Sequence, residues 1–196
     1  RIAVRFLDVS TYDASKITTR GGDGFYGDGA DGTVFLLEEG ATTGELVING
    51  NGPASTFTDL ILPPGQVFDS ITLQNGARVI AQGEIEVSGT LRLRGSSTLT
   101  HPAASEAGLR IQARDVIVEA GSAIDLTGRG YPGGNASGFG ETGQTLGGVA
   151  GAQNGTGGSH GGTGGDYAGN GASLPNPLYG DPKRPDRLGA GGGAWA

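Results

Sequence analysis

The stretch from Phe68 to Leu126 constrains the fold most, because it is a ladder of short apolar pairs separated by turns. In order it reads Ile71-Thr-Leu73, Ile85-Glu-Val87, Leu91-Arg-Leu93, Leu109-Arg-Ile111, Val116-Ile-Val118 and Ile124-Asp-Leu126. Each is apolar–x–apolar, the period of two that marks a strand burying one face. All but one carry Thr, Glu, Arg or Asp in the middle, which leaves the other face in water. Turn chemistry separates them at Asn75-Gly76, Gln82-Gly83, Ser88-Gly89, Glu119-Ala-Gly121 and Thr127-Gly128. The triplets follow one another too closely for crossover helices. They predict an all-β fold, a right-handed parallel β-helix (β-solenoid) whose coils stack around a narrow apolar core. Ile71 to Leu91 reads as one coil and Leu91 to Ile111 as the next, at about 20 residues each. Ser97–Ala107, with His101-Pro102, reads as a loop thrown out between strands. A sandwich of antiparallel hairpins is the rival, and it needs clearer two-residue turns than this ladder offers.

Glycine divides the chain. Of its 41 glycines, 24 lie from Gly128 onward. Residues 1–127 are therefore expected to form the solenoid coils, and residues 128–196 a long glycine-rich irregular C-terminal flap. Such composition is typical of flexible linkers. Tyr131, Phe139, Leu146, Val149, Tyr167, Leu174, Leu178, Tyr179, Leu188 and Trp195 are spaced through it, however. A linker has no use for them, so a compact flap folded over the solenoid is the favoured reading. A hydrophobic content of 35% suits a thin core better than a broad one. The net charge of −7 argues against nucleic acid and against anionic membrane surfaces. With no Cys, disulfides, thiolate catalysis and Cys-ligated zinc are excluded. With no Met, the chain is expected to be a mature product, a fragment or one unit of something larger. No apolar run approaches the roughly 20 residues of a membrane span, and no signal peptide is read.

Residues 1–9 read as a strand in which Ile2, Val4 and Phe6 alternate with Arg1, Ala3 and Arg5. It starts at full strength, so an uncapped solenoid end is expected there. The loop that follows carries Asp23, Asp28 and Asp31 among glycines, and these are the candidate calcium ligands. Residues 26–34 partly fit a calcium-binding nonapeptide, with Tyr26 at the first Gly position and Thr33 at the apolar one. A metal-free Asp/Gly turn is the plainer reading of the same residues. His101 and His160 are the only histidines, lack any zinc-like spacing, and read as structural. Asn135-Ala-Ser137 and Asn154-Gly-Thr156 fit the N-glycosylation triplet.

The chain also resembles the glycine-rich repeat regions of very large bacterial surface and adhesin-like proteins. The resemblance rests on Arg1–Phe6, Gly27–Leu36, Ser122–Tyr131, Gly158–Gly165 and the tract from Tyr179 to Gly193. It implies parallel β-helical architecture and a role at the cell surface, and it carries over no catalytic residue. In that family a tract like Gly191–Gly193 leads into a strand similar to Arg1–Phe6, so this chain's end looks like the lead-in to its own beginning.

These readings converge on a structural protein rather than an enzyme: a repeat unit or subunit of an extracellular surface filament or adhesin. Its expected partners are copies of itself, joined covalently in tandem or stacked head to tail through open solenoid ends. Arg1, Ile2, Val4, Phe6 and Trp195 are the expected interface, with Trp as its anchor. Surface polysaccharide is a further candidate partner. The alternative is a carbohydrate-binding or carbohydrate-active β-helix protein. It requires a groove with clustered acids or aromatics on one solenoid face, and Glu84, Glu86, Asp125 or nearby arginines such as Arg92, Arg94 and Arg110 converging in a cleft would favour it.

Overall fold

The computed structural model describes residues 1–7, 17–25, 27–50, 56–134, 142–166, 175–181 and 183–194. The chain divides into two compact units. One is Arg1–His101 with Leu109–Asp125, the other Pro102–Gly108 with Leu126–Ala196.

The strands of the described residues all lie in the first unit, and those residues contain no helix. They are β1 (Ile2–Phe6), β2 (Thr33–Glu38), β3 (Glu45–Asn49), β4 (Thr58–Ile61), β5 (Val67–Gln74), β6 (Arg78–Gln82), β7 (Glu84–Leu93), β8 (Thr98–Thr100), β9 (Arg110–Val118) and β10 (Ala123–Ile124). A six-stranded sheet has the order β1-β2-β3-β5-β7-β9, and a four-stranded sheet the order β10-β8-β6-β4. From β3 onward successive strands alternate between the sheets, so each strand's neighbour in its own sheet is the next but one, in parallel.

The period-two pattern sets the register. Leu46, Ile71, Leu91 and Val116 are successive partners across the large sheet, as are Ile48, Leu73, Leu93 and Val118. In the small sheet Val79, Leu99 and Ile124 line up in the same way. A one-residue slip would turn every one of these side chains to the wrong face. The inward rows of both sheets meet in one apolar cluster that includes Ile48, Leu60, Phe68, Ile71, Val79, Ile85, Leu91 and Leu99. Each such side chain contributes about 1.5–3 kcal/mol when fully buried. Left-handed turns stack beside this core. Asn75-Gly76 sits on Gly95-Ser96, with the Gly76 N–H donating to the Gly95 carbonyl at 2.6 Å. A Cβ at Gly95 would meet the Asn75 nitrogen at 2.9 Å, and φ there is +62°, so glycine fits both the contact and the conformation.

The expected right-handed parallel β-helix is corrected by this topology. The strands form one mixed sheet and one parallel sheet, and no solenoid is identified. β2 and β3 are antiparallel, with Thr33 opposite Ile48 and Leu36 opposite Glu45. The cause is the short connection after Glu38, where Gly40 has φ +86° and the Ala41 N–H donates to the Glu38 carbonyl. So short a link returns the chain directly beside the strand it left, which only an antiparallel pair allows. The coil register is corrected too. Leu91 does pair with Ile71, but its next partner is Val116, while Ile111 pairs with Ile85.

One apparent turn is strand interior. Ser88-Gly89 lies inside β7 at a register shift between Val87 and Thr90. A Cβ on Gly89 would stand 2.6 Å from the Asp69 carbonyl oxygen, so glycine lets the bulged strand pass its neighbour. The triplets Leu109–Ile111 and Val116–Val118 likewise belong mostly to one strand, β9. Thr98–Thr100, expected in a loop, is β8, and its Leu99 is wholly buried.

The second unit is organised by backbone. Among its described residues there is no strand or helix, yet the glycine segments are hydrogen-bonded side by side. The segment from Gly189 to Gly193 takes part in bonds to three others: Tyr131 N–H to Gly189 O, Gly191 N–H to Gln144 O, and Gly193 N–H to Thr156 O. The chains run too close for side chains. A Cβ on Gly191 would overlap the Pro132 carbonyl, one on Gly158 the Ala190 carbonyl, and one on Gly143 the Gly191 carbonyl. A polar knot fixes a neighbouring part of the unit. Asn176 accepts the buried Ser159 N–H at 2.6 Å and donates to the Ser159 and Pro177 carbonyls.

Candidate functional site

The most informative surface feature is the contrast between the sheet edges and the strands next to them. Val116 and Val118 on β9 are 48% and 43% exposed, whereas their partners Leu91 and Leu93 are at 0%. Ile124 on β10 is 37% exposed beside a fully buried Leu99. At the opposite edge of the large sheet, Ile2 is 38% exposed beside Val34 at 3%, and Val4 and Phe6 are half-buried. The apolar rows of the core thus run on into strands that, among the described residues, have no further neighbour in either sheet order. Such an edge presents backbone donors and acceptors together with apolar side chains, the combination that templates further strand pairing.

The direction of the strands constrains any such pairing. β1 is parallel to β2, β2 is antiparallel to β3, and β3, β5, β7 and β9 are mutually parallel. β1 therefore runs opposite to β9. Both edges carry positive charge on their outer faces, with Arg5 on β1 and Arg110 and Arg114 on β9 all exposed. Arg114 is paired with Asp115 at 3.0 Å.

Of the expected interface residues, Ile2, Val4, Phe6 and the exposed Arg1 lie on or next to β1. Trp195 lies outside the described residues. Sequence reasoning missed Val116, Val118 and Ile124 as edge residues, although it recognised them as strand residues. A strand's pattern tells which face is apolar but not whether another strand covers it.

The three aspartates occupy different environments. Asp23 is exposed, and Asp28 is half-buried with its Oδ1 accepting the Gly24 N–H at 3.4 Å. Asp31 is buried, and its Oδ1 accepts the Gly21 N–H at 3.2 Å. Its backbone carbonyl accepts the Thr58 hydroxyl at 2.8 Å, which ties the loop to the start of β4. No group of three or more acidic or histidine side chains suited to a metal occurs among the described residues.

The residues required for a carbohydrate cleft are spread over two sheets. Glu84 and Glu86 stand on β7 of the large sheet, while Asp125 follows β10 in the small one. Glu84 faces Arg110 across the β7–β9 ladder, Arg92 is bonded to Glu119 at 2.6 Å, and Arg94 donates to Gln74. That is a mixed-sign face of local pairs. A cavity of about 430 Å³ opens elsewhere, beside the ends of β1 and β2, lined by Arg5, Leu7, Leu37 and Glu39 among others.

His101 is buried at the end of β8. His160 packs edge-on to Tyr179 with ring centroids 5.2 Å apart, and Tyr179 donates its hydroxyl proton to the Leu188 carbonyl. Both placements are within packed structure. Of the two glycosylation triplets, Asn135–Ser137 lies outside the described residues. In the other, the Thr156 hydroxyl is buried and donates to the Gln153 carbonyl.

Fold and surface together define a strand-rich protein of parallel and mixed sheets with apolar sheet edges. No protein-family profile, curated protein or solved structure matches the chain. Among the described residues no helix is long and apolar enough to cross a membrane.

Proposed function

We propose that the chain is a structural building block of an extracellular surface filament or adhesin, associating with copies of itself through the open edges of its sheets. The observation that carries this reading is the exposure of Val116, Val118 and Ile124 at positions whose register partners are wholly buried. A second copy docked there would continue the apolar rows and pair with the edge of β9 that no strand of the described residues covers. Because β1 runs opposite to β9, a copy displaced along the sheet would offer its β1 as an antiparallel partner, the slightly stronger of the two pairings. The contact joins two different patches, so it propagates rather than closes unless the rotation between copies happens to close a ring. An acidic, cysteine-free and glycine-rich composition suits exposure outside the cell. The scattered carboxylates argue for a structural rather than a catalytic role.

Charge opposes the contact at low salt. Each chain carries −7, and the arginines on the two edges would meet as like charges. Electron microscopy and sedimentation of the whole chain test the reading across concentration and ionic strength. Oligomers or filaments that grow with concentration, strengthen with salt and disappear in Val116→Asp are expected. A monomer under all these conditions, or assembly indifferent to both Val116→Asp and Val118→Asp, would refute it.

A further inference from the structure

We propose that Asp31 binds a calcium ion, together with backbone oxygens of its own glycine-rich loop. This site is independent of the sheet edges and of the assembly reading. Asp31 is 3% exposed, and only one of its carboxylate oxygens is satisfied. The other, Oδ2, is buried without a hydrogen-bond partner among the described residues. A buried carboxylate oxygen lacking both a donor and a counter-charge is costly, and native structures hold such groups for a reason, of which a bound ion is one.

The surroundings supply oxygen, and none of the ion pairs among the described residues involves Asp31. Gly21, whose N–H is held by Asp31 Oδ1, is also crowded by the carbonyl oxygens of Gly29 and Ala30. A Cβ at Gly21 would overlap the first and lie 3.1 Å from the second. Carboxylate and carbonyl oxygens therefore gather around one glycine. A carbonyl that already accepts one N–H keeps a second lone pair for a ligand. Asp28, three residues earlier, is half-buried, and among the described residues only one of its carboxylate oxygens is engaged, by a long bond, which leaves the other to contribute.

Donors of this kind select a hard cation. With no His or Cys needed, zinc and the softer transition metals are disfavoured. Magnesium demands a near-ideal octahedron and keeps its waters, whereas calcium accepts irregular sets of carboxylates, carbonyls and waters. The absence of a cluster of three acids is compatible with this, because carbonyls make up the number. Asp23, exposed on the loop, is not needed.

The test is titration of the whole chain, stripped with chelator, with calcium, magnesium or potassium chloride, by calorimetry and by thermal melting. One calcium per chain and a raised Tm are expected, with much weaker responses to the other two ions. Asp31→Asn keeps the Oδ1 acceptor for Gly21 and removes the charge. It should lower calcium affinity by at least about tenfold. Without calcium the same variant should melt no lower than the parent, because an uncompensated buried charge has gone, so the order of the two proteins reverses when calcium is added. Asp28→Asn should weaken binding less, and it serves if Asp31→Asn does not fold. No calcium uptake by the parent chain, or equal uptake in parent and Asp31→Asn, overturns the proposal.

Discussion

In the first unit Leu91 is wholly buried between Ile71 and Val116, and alternation along each strand decides what lies inside. In the second unit the corresponding interior place is taken by bare backbone, as where the Gly191 Cα faces the Pro132 carbonyl. The difference teaches that two economies of packing coexist in one chain. A side-chain core needs strands spaced widely enough for their side chains to meet. A glycine core needs chains close enough that any side chain is an obstruction, and its cohesion comes from inter-segment hydrogen bonds such as Gly191 N–H to Gln144 O. The first depends on what each residue adds, the second on what each residue lacks.

The largest effect should come from deleting volume in the first unit. Leu91→Ala removes a side chain at 0% exposure from the middle of the apolar cluster. It is expected to cost about 2–5 kcal/mol, the range for a buried Leu whose cavity only partly collapses. Denaturant unfolding of the whole chain checks this. A loss below about 1 kcal/mol would mean that the two sheets are not a tightly packed pair and would blur the contrast with the glycine unit.

Adding volume in the second unit comes next. Gly191→Ala places a methyl where the Pro132 carbonyl already lies, so backbone must move. About 1–3 kcal/mol of destabilisation is expected, as for overpacking elsewhere. Hydrogen exchange should localise it to residues bonded to the Gly189–Gly193 segment, leaving β5, β7 and β9 as protected as before. Gly162→Ala is the control, since nothing lies within 4 Å of its new methyl. It should be neutral or stabilise by a few tenths of a kcal/mol through the unfolded chain. Equal effects at the two glycines would show that close approach is not what holds the second unit together.

Much of the first unit was legible in the sequence, because strand patterning is local. Ile71-Thr-Leu73 and Ile85-Glu-Val87 announce their buried face without knowledge of their neighbours, and both fall in the core. What was not legible depends on the path between strands. The same Ser-Gly chemistry that makes a turn elsewhere makes a bulge at Ser88-Gly89. The short link after Glu38 decides that β2 and β3 are antiparallel, and with it that the large sheet is mixed. The second unit was visible only as composition. A run of glycines states where side chains are missing but not which carbonyl fills the space. At the edges, Val116 and Leu91 carry the same local signal, and only the sheet order tells one from the other. For Asp31 the sequence offered an aspartate followed by glycine just before a strand, while its burial and the unsatisfied oxygen follow from the packing around Gly21.

The smallest effect concerns a side-chain bond in the backbone-packed unit. Tyr131 donates its hydroxyl proton to Glu106 at 2.9 Å. Its pKa is raised above 10, first by removal of the phenol from water and then by the hydrogen bond to Glu106 and that carboxylate's negative charge. The protonated phenol is thus favoured in the folded state. Its contribution to stability is fully present below the unfolded pKa near 10 and is lost as pH rises through the higher folded value. The carboxylate and its phenol are both accessible, so the change in stability should be slight. Phenolate absorbance is the sensitive readout. The folded chain should ionise one tyrosine later than the denatured chain does, and Glu106→Gln should bring that transition back toward the ordinary range. If Glu106→Gln leaves the titration unchanged, the bond between Pro102–Gly108 and the Tyr131 segment contributes nothing. The tie between these two segments would then rest on backbone hydrogen bonds such as Ala104 N–H to the Arg129 carbonyl.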